Sequence, residues 1–219
     1  MSYFSRVSLD RENPEARNLL RHLASNAYNE HQLLWGLWGR RPEALRDFLF
    51  HRRDEVPGSY YLVSAAPPLE SGHGFLVESR PYQPRIEAGD RLAFELRANP
   101  VVTRRADDGR AVRHDVVTDA LAHSEGRVPR DQMERDAGLA WLAKRAEASG
   151  FAFDPEQVRT GAYRKESFQR GEAQRVRYST LDFAGLLTVT DAERFSAVLR
   201  NGLGKAKAFG CGLLLFRRV

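Results

Sequence analysis

Apolar patterning runs strand, helix, strand, strand and closing strand twice along 219 residues, and the second pass has a clear helix where the first is poorly defined. That order predicts an α+β fold of two tandem ferredoxin-like (RRM-like) units. The length suits one large domain or two small ones, and a 42% apolar share is enough for a real core. No sequence repeat links the halves, so the expectation rests on element order.

Tyr3–Leu9 alternates apolar and polar side chains and reads as a strand. Asn13-Pro14 starts a turn or a helix. Asn26 caps a helix from Ala27 to about Trp38, and Arg41-Pro42 closes it, because a residue before proline avoids the helical region. Phe48–Arg52 and Tyr60–Ala65 are short strands, and Pro67-Pro68 with Ser71–Gly74, His73 included, forms a loop. RLAFELRA, Arg91–Ala98, is a strand with Leu92, Phe94 and Leu96 on one face; it closes a first unit, residues 1–98.

Asn99-Pro100 marks the junction to a second unit, residues 99–219. A polar segment, Arg104–Arg113, turns at Gly109. Gln132–Ser149 is a helix with Leu139, Leu142, Ala143 and Ala146 at helical spacing, stopped by Gly150. Val158–Gln169 and Gln174–Thr190 flank Gly171 as a hairpin. Ala192–Leu199 is a second helix and Phe209–Phe216 the last strand.

Lysine and arginine total 34 against 29 acids, a net charge of +5, and the isoelectric point is about 9.6. A basic domain suits a polyanion, although a basic proteome gives the same balance. The single cysteine, Cys211, excludes an internal disulfide and a cysteine-based zinc site, and fits a reduced, cytoplasmic protein. The first residues, MSYFSRVSLDREN, hold no apolar stretch of signal length, and the apolar run Leu213–Phe216 is far too short to span a bilayer. The histidines show no HExxH or paired-ligand spacing, and no GxSxG elbow or RRM aromatic signature occurs. No metal and no cofactor are expected.

Three constellations remain. Tyr28 and His31 are three residues apart, so a helix puts them on one face. His31 can exchange a proton near neutral pH, and Tyr28 can donate a hydrogen bond or orient a phosphate. Cleavage of RNA by its own 2′-hydroxyl needs a base for that hydroxyl, an acid for the leaving 5′-oxygen and charge stabilisation at phosphorus. Trp35 and Trp38 continue the same face, so spacing alone favours a core stripe with a satisfied histidine over a catalytic pair. The second constellation is a basic hairpin carrying Arg164, Lys165, Arg170, Arg175 and Arg177, with Arg175 and Arg177 on one strand face. It suits phosphates, or is simply a solvated face. The third runs from Gly202 through Gly204, Lys205, Lys207 and Gly210 to Gly212. It follows a helix and lacks the Ser/Thr of a phosphate loop, so a helix cap with a packed strand competes with an anion site.

Five stretches together resemble one family: AYNEHQLLWGLW (27–38), RPEALRDFLFH (41–51), RLAFELRANP (91–100), AWLAKRAE (140–147) and GLGKAKAFGCGLL (202–214). They are similar, in order and over essentially the whole chain, to the CRISPR-associated repeat-processing endoribonucleases of type I-E systems, called CasE. The resemblance implies two ferredoxin-like domains and binding to the stem-loop of a CRISPR repeat transcript. It implies metal-independent cleavage at the 3′ base of that stem, and retention of the product as a subunit of the Cascade complex. The motif's Tyr and His fall on Tyr28 and His31. Where some relatives carry a basic residue after the histidine, this chain has Gln32, so Lys205, Lys207 or a hairpin arginine must supply positive charge. A non-catalytic RNA-binding scaffold is the rival reading; a DNA-binding regulator is disfavoured by the lack of a helix-turn-helix pattern.

Overall fold

The computed structural model describes residues 1–39, 47–69, 71–72, 74–106, 108–124, 128–170 and 174–219, with the backbone alone for Ser71, Arg170 and Gln174. Arg41-Pro42, His73 and Gly171 lie outside the described residues. The first half contains β1 (Tyr3–Leu9), α1 (Ala16–Ser25), α2 (Ala27–Trp35), β2 (Phe48–Arg52), β3 (Ser59–Ser64), β4 (Ser71–Gly72) and β5 (Phe75–Pro81). Its sheet order is β2-β3-β1-β5-β4, with every pairing antiparallel. The second half contains β6 (Arg91–Ala98), β7 (Val101–Arg105), β8 (Ala111–Asp115), α3 (Val116–His123), α4 (Arg130–Ala146), β9 (Phe151–Ala152), β10 (Val158–Thr160), β11 (Arg164–Arg170), β12 (Gln174–Val189), α5 (Ala192–Asn201) and β13 (Leu214–Arg218). Its sheet order is β10-β12-β6-β13, also antiparallel. In both sheets the first and third main strands lie at the centre and the second and fourth flank them. This is the ferredoxin-like arrangement, met twice.

Three expectations change. The strand Arg91–Ala98 does not close the first sheet; it pairs with β12 and β13 at the centre of the second. The first sheet is closed instead by β5, whose FLVESRP buries only Phe75 and so has little apolar pattern to read. The polar segment Arg104–Arg113 is part of a hairpin, β7–β8, standing apart from both sheets. The last strand begins at Leu214 rather than Phe209, because a 3-10 turn occupies Lys207–Phe209. Two smaller shifts accompany these. Ala143 is exposed while Trp141 is buried, and Ser71–Gly72 pairs with β5 within the expected loop.

Each sheet buries one face under helices. Val7 and Leu9 meet Leu23, Leu34 and Leu37 from the α1–α2 region. Leu92, Phe94 and Leu96 meet Leu139, Leu142, Phe195 and Leu199 from α4 and α5. A third cluster, Leu49, Val63 and Leu213, joins strands of the first sheet to the approach to β13. Each such side chain contributes about 1.5–3 kcal/mol of transfer free energy when fully buried. Arg97 of β6 adds a polar tie. It is 11% exposed and donates at 2.6 Å to Asp54, in the turn after β2, and at 2.6 Å to Asp182 of β12. That network couples the two halves where the site forms.

Candidate functional site

The α2 helix starts where Asn26, in an extended conformation, accepts a hydrogen bond from the Asn29 amide at 2.9 Å. It gives way to a 3-10 turn at Gly36–Trp38, ended by Gly39 in the left-handed region. Tyr28 and His31 do share the helix, but their surroundings differ. His31 is 3% exposed and stacks on the Phe48 ring at 5.1 Å, while Trp38 stacks on Phe48 at 4.8 Å. The histidine is therefore part of an aromatic stripe, as the spacing allowed. Tyr28 is half-buried and faces Phe168 of β11, with ring centroids 6.3 Å apart.

Between them sits Glu30, 1% exposed, which sequence reasoning passes over. Arg52 of β2 grips its carboxylate through Nε at 2.7 Å and Nη2 at 2.6 Å. Burial works against the Arg52 charge, but the Glu30 carboxylate outweighs it and raises the guanidinium pKa. Tyr60 is also raised, by burial first and then by Glu30. A buried carboxylate held by a fork of two charge-assisted bonds anchors this turn of α2 on the sheet. The orientation of Tyr28 and His31 therefore depends on a strand residue 22 positions from Glu30 in sequence, which no local pattern announces.

The hairpin β11–β12 pairs Glu166 with Tyr178, Phe168 with Val176 and Gln169 with Arg175. Side chains alternate across it. Phe168 and Tyr178 turn inward, and both rings contact Phe209 of the glycine-rich loop, at 5.2 and 5.0 Å. Arg175, Arg177 and Lys165 therefore lie on the opposite, exposed face, and Arg175 Nε donates to Ser167 Oγ at 2.8 Å. Arg164 is on the inner side. It reaches Asp182 at 3.3 Å and Asp54 at 3.8 Å, joining the Arg97 network. The structure thus separates Arg164 from the outward cations; the side chain of Arg170 lies outside the described residues.

The glycine-rich segment is a joint as much as a loop. Gly202 caps α5, its amide donating to Val198 at 2.7 Å. Gly212, at φ +92°, donates to the Arg97 carbonyl at 2.7 Å and accepts from Leu203 at 2.8 Å. A Cβ there would lie 2.7 Å from the Leu203 carbonyl, so only glycine fits. Gly210 is buried against Phe50, whereas Gly204 is only partly covered. The Gly202 and Gly212 amides are committed to backbone bonds, so lysines are the loop's main offer to an anion. Lys205 is exposed, and burial followed by the nearby Lys205 charge lowers the Lys207 pKa. Lys205 also bridges by backbone to Asn99 of the LRANP motif, and buried Asn99 donates from Nδ2 to the Ser179 carbonyl at 2.8 Å.

The 3-10 turn at Lys207–Phe209 packs on α2, so all three constellations converge. Beside them opens a cleft of about 560 Å³ lined by Ala27, Glu30, Arg52, Arg164 and Tyr178. It lies along the face of α2 next to Tyr28 and His31 rather than directly on them. Cys211 is buried, which pushes its thiol up to about 12, so it is no nucleophile. Among the described residues no group of three His, Cys, Asp or Glu is placed to hold a metal ion, and no helix is long and apolar enough to cross a membrane.

Comparison with known proteins now places the chain. The family model for CRISPR associated protein matches residues 2–218. The Cascade subunit CasE of Escherichia coli K12 is 30% identical over 202 residues, covering 90% of this chain and 94% of the relative. The CRISPR-associated endoribonuclease Cse3 of Thermus thermophilus is 30% identical over 221 residues, covering 92% and 94%. A structure of Thermus thermophilus Cse3 bound to an RNA representing a pre-cleavage complex superposes with a TM-score of 0.72 at 26% identity, covering 99% of this chain and 98% of that one. With matched sequence and matched fold running from end to end, the chain belongs to the CasE family of CRISPR-associated proteins.

Proposed function

We infer that this protein is an endoribonuclease that cleaves CRISPR repeat transcripts at the 3′ base of a stem-loop, needs no metal, and then holds its product as a subunit of Cascade. The observation that carries the reading is the meeting of α2, the basic hairpin and the lysine-bearing loop around Tyr28, Phe168 and Phe209. The two units divide between β5 and β6, so the site straddles their junction.

In this reading the 2′-hydroxyl loses its proton and its oxygen attacks phosphorus. The bond to the 5′-oxygen breaks and that oxygen takes up a proton. The products are a 2′,3′-cyclic phosphate and a 5′-hydroxyl. His31 transfers one of these protons, Tyr28 orients the phosphate, and Lys205, Lys207 or an arginine stabilises its charge. Arg175, Arg177 and Lys165 hold phosphates of the stem from the outer face, and Arg170 adds a contact at the end of β11. Arg164, engaged with Asp54 and Asp182, positions the hairpin instead. The burial of His31 is the one observation favouring a non-catalytic RNA-binding scaffold. A repeat stem-loop with a single 2′-deoxy nucleotide at the scissile position separates the two. The nuclease cleaves the all-ribose RNA and binds the deoxy one as tightly yet leaves it intact, whereas a scaffold leaves both intact; cleavage of the deoxy substrate would refute 2′-hydroxyl attack.

A further inference from the structure

The hairpin β7–β8 plays no part in the site described above, yet its cations are arranged against the same face. Its register pairs Val101 with Asp115, Thr103 with Arg113 and Arg105 with Ala111. Strand alternation therefore puts Arg105, Arg113 and Asp115 on one side. Arg105 and Arg113 are exposed and make no ion pair among the described residues. On the other side Arg104 is spent on Asp119 at 2.5 Å, and at the turn Arg110 is paired with Asp108 at 2.6 Å.

Asp115 sets how this hairpin stands. Its carboxylate accepts from the Thr118 amide at 2.7 Å, from the Tyr163 hydroxyl at 2.7 Å and from the Ser179 hydroxyl. Ser179 pairs with Lys165 and follows Arg177 by two residues on β12, so it points to the same side as those cations but is buried at the base of the hairpin. Its carbonyl is held by Asn99, the residue bridged to Lys205. Exposed Lys165 and Arg177 on one hairpin and exposed Arg113 and Arg105 on the other are thus joined through the bond between buried Ser179 and Asp115, and Asn99 ties Ser179 to exposed Lys205. Among the described residues the four hairpin cations make no ion pair, and the Asp115 carboxylate between them is taken up by Thr118, Tyr163 and Ser179.

We propose that the β7–β8 hairpin is a second arm of the RNA-binding face, on which Arg105 and Arg113 contact phosphates of the stem, with Asp115 as the positioning residue that fixes the angle between the two hairpins. A double-stranded RNA stem suits this surface because its phosphates run along two ridges, and two basic ribbons joined at an angle can follow both. The proposal rests on the RNA-cleaving reading for the identity of the partner.

The test measures affinity for an uncleavable 2′-deoxy stem-loop over a series of salt concentrations, using the full chain. Each phosphate contact contributes roughly 0.9 to the slope of log K against log salt on a duplex. Arg105→Ala/Arg113→Ala should lower that slope by about 2. Arg105→Lys/Arg113→Lys should keep it, and Arg11→Ala/Arg17→Ala, which removes the same charge from the first unit, should leave it unchanged. An unaltered slope in the double alanine variant, or an equal fall in the Arg11/Arg17 control, overturns the proposal. Cleavage of the all-ribose RNA by the unmodified protein is measured alongside. Cleavage with an unaltered variant slope refutes this arm alone, whereas a lowered slope without cleavage keeps the arm and refutes the nuclease.

Discussion

Removing Arg52 should destabilise the protein more than removing Glu30, although the two form a single ion pair. Glu30 is 1% exposed and Arg52 43% exposed at the side chain. Arg52→Ala strands a carboxylate that water cannot reach, and leaving one member of a buried pair uncompensated costs about 3–5 kcal/mol. Partial solvent access along the Arg52 stem reduces this to roughly 2–4 kcal/mol. Glu30→Gln leaves an arginine that can swing its head into the cleft, and costs about 1–2 kcal/mol, the scale of one lost charge-assisted hydrogen bond. Replacing both, as Arg52→Met with Glu30→Leu, should recover much of the loss, because a well-packed apolar pair often matches a buried ionic one. Urea denaturation of the three variants gives the comparison, read as midpoint shifts at constant slope. Equal losses from the two single variants would refute the argument that burial of Glu30 controls the energetics. Because this pair holds the α2 turn, Arg52→Ala should also slow RNA cleavage more than it weakens RNA binding.

Three further outcomes follow from the geometry. Burial, with the Arg97 charge next in importance, lowers the His51 pKa from 6.5 to about 4. The folded protein thus binds its proton less readily than the unfolded chain, so stability falls as pH drops from 6.5 toward 4. The loss is on the order of 3 kcal/mol at the lower end, and His51→Gln should flatten that part of a pH–stability curve. Gly212→Ala should cost about 2–4 kcal/mol, because it combines left-handed strain with a carbonyl collision, while Gly39→Ala, where no atom lies within 4 Å, should cost only about 1–2 kcal/mol; thermal melts compare them. Arg175→Ala/Arg177→Ala should lower the salt slope of stem-loop binding by about 2, whereas Arg164→Ala should leave it nearly unchanged, because Arg164 is turned toward Asp54 and Asp182.

Much of this architecture is legible in residue order alone, and the misses have physical causes. Strands whose two faces meet different environments, such as Tyr3–Leu9 and Arg91–Ala98, display alternation, and their ends fall where the pattern puts them. The strand β5 buries one side chain, so its period is absent, and the neighbouring clear strand reads as the closing strand of the wrong sheet. The β7–β8 hairpin has exposed faces and a polar sequence, which pattern alone does not separate from a loop. At the site, Tyr28, His31, the outward hairpin cations and the glycine joint are all legible as types and spacings. Their meeting is not. It depends on Phe168 and Phe209 touching across the fold, on Glu30 finding Arg52, and on Asn99 linking Lys205 to Ser179. Those are contacts between residues far apart in the chain, and no periodicity records them.

The most direct test of the central claim is single-turnover cleavage of a repeat stem-loop in excess EDTA, by the unmodified protein and by His31→Ala, with binding measured on the same RNA. Metal-independent catalysis through His31 predicts a 5′-hydroxyl and a 2′,3′-cyclic phosphate from the unmodified protein. It predicts a rate lower by about 10²–10⁴-fold in the variant, at nearly unchanged affinity. Tight binding of RNA that stays intact, or cleavage by His31→Ala at the unmodified rate, would contradict it.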